Sequence, residues 1–212
     1  MTEIAAASGW ARRRSILLNE YERVAWELFA ARGFRNVTVD DIAEVAGVST
    51  RTLFRYFPTK DEFLLGYPRR GMRAEVDAIA ALAPSDHTLT AAWDAVRELF
   101  VARPVDSNLL NLWRNAAADA PEVIDRVRGE RMHALHEALI AYAERSLRVS
   151  STRDARPRVL AGIVMGLEFA LVETATRAPR TFDAAVAAAD AAIAAIGDAD
   201  EAVRRRPRAA AR

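Results

Sequence analysis

Residues 38–60, TVDDIAEVAGVSTRTLFRYFPTK, leave the chain few choices of local structure. Thr38 suits a helix N-cap, and Asp41 stands at the third helical position, the spacing of a capping box. Asp40 and Asp41 put negative charge on the positive end of the helix dipole. Val39, Ile42, Ala43 and Ala46 recur at helical spacing, which predicts a short helix with one apolar face. Gly47 is a stop that tolerates a left-handed backbone, and Val48 can plug the corner. Ser49 or Thr50 can cap a second helix, anchored by Leu53 and Phe57 and ended by Pro58.

Two short helices about a glycine turn make a helix-turn-helix, and the second has the chemistry for DNA. Arginine can form two parallel hydrogen bonds to a guanine edge, and threonine can meet a base or a thymine methyl. Arg51, Thr52 and Arg55 are therefore expected to read bases, with Ser49 and Thr50 at the helix start. Thr38, Tyr56 and Lys60 are expected to touch phosphate, which positions a protein without reading sequence.

Residues 24–65, VAWELFAARGFRNVTVDDIAEVAGVSTRTLFRYFPTKDEFLL, resemble the N-terminal domain of the TetR (tetracycline repressor-like) family. The resemblance rests on Leu28-Phe29-Ala30, Gly33-Phe34, Thr38-Val39, Ile42-Ala43, Ala46-Gly47-Val48-Ser49, Thr52-Leu53-Phe54, Phe57 and Lys60. It implies a DNA-binding head, a fourth helix linking head to body, and a helical body that takes a small effector. It also implies a dimer made through a four-helix bundle from two C-terminal helices of each subunit. The family often has tyrosine where this chain has Phe54; the ring can pack on the sugar-phosphate backbone but has no hydroxyl to donate.

The rest of the chain reads as helix, giving an all-α fold of about nine helices without strand patterns or repeats. Residues 1–14 read as a flexible arm ending in Arg12, Arg13 and Arg14, either solvated or touching DNA. The head is expected over 15–62, its first helix from Ser15 to Arg32 carrying a stripe of Leu17, Tyr21, Val24, Ala25 and Leu28. The body is expected over 63–200, followed by a disordered basic tail over 201–212. Gly66, Pro68 and Gly71 predict a kink or break in the fourth helix before Arg73. Later helices are expected over Thr88–Arg103, about Leu109–Trp113, Pro121–Leu147, Ala155–Arg177 and Phe182–Ile196.

With 212 residues and a net charge of +1, the chain is neither disordered nor a polycation, so DNA affinity must come from a local patch. Ser49 to Lys60, with Arg51, Arg55, the one lysine of the chain and no acidic residue, is such a patch. The absence of cysteine excludes disulfides and thiolate sites. The opening residues do not read as an export signal, and no apolar run suits a membrane span, so a cytoplasmic protein without membrane contact is expected.

Candidate lining of an effector pocket is Trp93, Phe100, Asn108, Leu109, Leu112, Trp113, Met132, His136, Met165 and Phe169, which suits a mainly apolar ligand. Asn111, Arg114 and Glu168 are further polar candidates. Ala161, Gly162, Met165, Gly166, Phe169, Val186, Ala189, Ile193 and Ile196 are candidates for a homodimer interface. His133, His136 and Glu137 share a helix face but are too few for a metal site, and no motif calls for a cofactor. No catalytic set is present either.

The expected function is a sequence-specific DNA-binding regulator, a repressor released from a palindromic operator by a small effector. Its partners would be double-stranded DNA, the effector and a second copy of the chain. The alternatives are an effector-independent architectural DNA-binding protein, or a helical enzyme that carries a helix-turn-helix.

Overall fold

The computed structural model describes residues 2–101 and 107–205. Nine α-helices and no strand occur among the described residues. They are α1 (Thr2–Arg32), α2 (Val39–Ala46), α3 (Thr50–Tyr56), α4 (Glu62–Ala80), α5 (Thr88–Val101), α6 (Ser107–Ala116), α7 (Pro121–Leu147), α8 (Arg156–Arg177) and α9 (Phe182–Arg205).

The chain divides into two compact units, Met1–Gly71 with Pro104–Arg131, and Met72–Arg103 with Met132–Arg212. This differs from the linear division expected at residue 62. In the first unit α6 packs along α1, and Leu109, Leu112 and Trp113 lie against its core. An amphipathic stripe shows that a face is buried but not which core takes it. That first core is built around Trp26, Phe29, Ile42, Leu53, Phe57, Phe63, Leu64 and Leu65. The second unit has its own core of Trp93, Leu135, Leu139, Tyr142, Val164, Met165 and Ile193, with α5 packed on α8 and α9.

Two further expectations are corrected. α1 begins at Thr2 rather than Ser15, because the alanine-rich start favours helix strongly enough to carry the basic residues within it. α4 continues through Pro68 to Ala80 without a break. Of the expected tail, residues 201–205 belong to α9, and 206–212 lie outside the described residues. No helix among the described residues is long and apolar enough to cross a membrane.

Candidate nucleic-acid interface

The capping box at the start of α2 forms as its spacing dictates. Asp41 N–H donates to Thr38 Oγ1 at 3.1 Å, and Thr38 N–H donates to Asp41 Oδ2 at 2.7 Å. The hydrogen bond from the Thr38 hydroxyl, then that from its backbone, hold the Asp41 carboxyl below the usual carboxylate range, and Arg32 adds to this. Gly47 closes α2 at φ 65, where its N–H reaches Ala43 and Glu44 carbonyls. Val48 N–H then bonds Ala43 O at 3.0 Å, and Val48 packs on the core, so the turn between the helices is set locally.

Ser49, rather than Thr50, caps α3: its Oγ accepts from Thr52 N–H at 3.2 Å and pairs with Thr52 Oγ1 at 2.8 Å. Thr50 instead donates its hydroxyl to Asp40 Oδ1 at 2.5 Å and ties α3 to α2. Leu53 and Phe57 are buried, and Phe57 stacks on Phe63 at 4.1 Å. With those residues turned inward, Arg51, Phe54 and Arg55 are left exposed on α3. Ser49, Arg51, Thr52 and Arg55 line a concavity of about 460 Å³. Arg51 makes no hydrogen bond or ion pair among the described residues, so its fork of donors is open to a base edge.

Other members of the predicted set are committed within the chain. Arg55 donates to the Tyr56 hydroxyl at 2.9 Å and lies over its ring, while Tyr56 itself leans on Tyr21 with 6.1 Å between ring centroids. Phe54 is 46% exposed, far more than its size needs if it served only the core. Lys60, expected at a phosphate, is also held within the chain. Its Nζ donates to Phe34 O at 2.8 Å and Val37 O at 3.1 Å and sits 4.4 Å from the Phe34 ring centroid. Phe34 and Val37 are both buried, and Lys60 bonds carbonyls at the start and just past the end of the short 3-10 turn Phe34–Asn36. Lys60→Ala is therefore expected to lower unfolding stability by about 1–3 kcal/mol. The salt dependence of DNA binding should stay unchanged, and a slope reduced by about 1 would restore the phosphate role.

Sequence reasoning missed the residues that brace this head from a distance. Phe34 N–H donates to Asp119 Oδ1 at 2.9 Å, and Gly33, at φ 84, brings its Cα so close that an added Cβ would stand 3.0 Å from Asp119 Oδ2. Arg126 pairs with Asp61 at 3.1 Å, and Arg69 joins Glu62 at 2.8 Å to Glu130 at 2.7 Å. The Arg69 hydrogen bond keeps the Glu130 carboxyl below its ordinary range. Glu22 is buried, and that burial raises its carboxyl against the opposing pull of Arg70. No local signal marks these partners, which lie up to 85 residues apart.

Residues 23–67, from α1 into α4, match the family model of bacterial regulatory proteins of the tetR family. That segment is similar to the DNA-binding head of TetR-family regulators. The chain is 56% identical over 50 residues to MftR of Mycobacterium tuberculosis, named for transcriptional regulation of mycofactocin biosynthesis, which covers 24% of this chain and 25% of that protein. It is 30% identical over 128 residues to the HTH-type transcriptional regulator TcmR of Streptomyces glaucescens, covering 58% of this chain and 46% of TcmR. The chain thus spans between a quarter and about half of the length of these curated relatives. A crystal structure from Mesorhizobium loti described as a TetR-family regulator shares the fold, with TM-score 0.55 at 18% identity over 87% of this chain and 98% of that one. These relatives are named as regulators of transcription rather than enzymes.

The expected TetR-type effector residues do not form one lining. Leu109, Leu112 and Trp113 pack on the core of the first unit, whereas Trp93 and Met165 belong to that of the second. Trp93 also donates its indole N–H to Asp190 at 2.6 Å. Asn108, Met132 and Phe169 are exposed, His136 is half-buried, and the Phe100 side chain lies outside the described residues. The expected dimer residues divide as well. Ala161, Met165, Ala189 and Ile193 are buried in the second core and Val186 packs against it, while Gly162, Gly166, Phe169 and Ile196 face outward. Small and large residues alternate around these helices, so composition alone does not tell the two faces apart.

Proposed function

We propose that this chain is a one-component transcriptional regulator that represses from a palindromic operator as a homodimer and is released by a small, mainly apolar effector. The observation that carries the DNA half is the open face of α3, where Arg51, Thr52 and Arg55 surround one concavity and Arg51 is uncommitted. A seven-residue recognition helix offers few base contacts, so tight binding calls for two copies about 34–36 Å apart, one turn of DNA. Selection of bound sequences from a random duplex library at near-physiological salt tests this. An enriched palindrome is expected; salt-dependent binding without enrichment would favour the architectural alternative instead.

The outward face of α8 supports the homodimer. Val159, Gly162, Gly166, Phe169 and Val172 follow helical spacing, and all five are exposed. A Cβ added at Gly162 or Gly166 would meet nothing within 4 Å. Each glycine costs the helix about 1 kcal/mol relative to alanine, and packing within the chain gives no return for it. Close approach of a second α8 would. Gly166→Leu is expected to leave the monomer folded and weaken self-association by about tenfold or more, since overpacking costs about 1–3 kcal/mol. Sedimentation that shows an unchanged dimer would exclude this face. The effector half rests on the family and on the apolar second core around Trp93, Tyr142 and Met165. A shift between two head spacings requires an effector that binds them unequally.

A further inference from the structure

Pro68 is the seventh residue of α4 and has no N–H, so the carbonyl of Leu64, four residues earlier, lacks its ladder donor. Leu64 is fully buried, which makes an unsatisfied carbonyl there costly. The indole N–H of Trp113 on α6 donates to that carbonyl at 2.9 Å. The neighbouring carbonyl of Phe63 accepts from the Trp26 indole on α1 at 2.7 Å. The flanks of the same turn are tied by Arg69 to Glu62 and Glu130, and by Arg70 to the buried Glu22. Gly66 admits that carboxylate: an added Cβ would stand 2.2 Å from Glu22 Oε1. α4 is continuous across its proline, and the Trp113 indole of α6 supplies the donor that its own ladder lacks there.

These bonds lead to the recognition helix in two steps. Phe63, whose carbonyl and next neighbour take the two indoles, stacks on Phe57, and Phe57 closes the C-terminus of α3. We propose that Trp113 is a positioning residue for DNA binding, its indole replacing the hydrogen bond that Pro68 removes so that the placement of α3 depends on α6. This rests on the DNA-binding reading given above.

The test is a cycle of Trp113→Phe, Pro68→Ala and the double variant in the full chain. Each is measured for denaturant unfolding and for affinity to the selected operator duplex well below the unfolding midpoint. Pro68→Ala returns an N–H to Leu64 O and makes the indole redundant. In the wild-type background, Trp113→Phe should shift the folding equilibrium about tenfold and weaken operator binding by a similar factor. In the Pro68→Ala background the same change should cost less than about twofold in each. Equal losses in both backgrounds would overturn the coupling. Coupling in stability with operator affinity unmoved would reduce Trp113 to a packing residue and overturn the positioning role. Failure of the wild-type chain to bind any duplex would overturn the DNA-binding reading and this role with it, whatever the stabilities show.

Discussion

Arg51→Ala is expected to flatten the base preference of the protein, lowering affinity for the enriched operator by about 1–3 kcal/mol while leaving unrelated duplexes nearly unchanged. The asymmetry follows from where the side chain stands. Arg51 is exposed at the start of α3, and no ion pair or hydrogen bond ties it down among the described residues. Its removal should therefore not move the unfolding midpoint, and any loss belongs to recognition. Arg51→Lys should recover the charge without the two-pronged geometry, so non-specific binding returns but the preference does not. Binding measured on the operator, on single-base variants and on unrelated duplex separates these outcomes. Equal loss on every duplex would make Arg51 a phosphate contact.

Trp26→Ala should be the most damaging single change in the DNA-binding head, costing about 3–5 kcal/mol. Trp26 is 1% exposed, meets the Tyr67 ring edge-on at 5.6 Å, and holds the Phe63 carbonyl. Truncation leaves both a cavity and a buried acceptor without that donor. Against a typical total of about 5–15 kcal/mol, this loss leaves little margin, and DNA binding should disappear with the fold. Trp26→Phe keeps much of the packing and removes only the N–H, so it should fall between wild type and Trp26→Ala by denaturant unfolding. A Trp26→Phe variant as stable as wild type would show that the indole bond has no weight there.

By itself the sequence determined the parts of this protein whose causes lie within four residues of one another. Thr38 with Asp41 set the start of α2, Gly47 its end and Pro121 the start of α7. Capping, left-handed turns and proline limits are local interactions, so they can be read without knowing the neighbours. The exposure of Arg51 and Arg55 on α3 was legible for the same reason, once Leu53 and Phe57 had claimed the inward face. Only the tertiary structure decided what each buried face meets. It turned Lys60 onto two backbone carbonyls, gave Thr50 to Asp40, and placed α6 with the DNA-binding head. It also let α4 run through Pro68, because Trp113, 49 residues from Leu64, supplies the missing donor. Helical periodicity records that a side chain leaves water. The partner that receives it is fixed by chain segments distant in sequence, and no spacing rule carries that information.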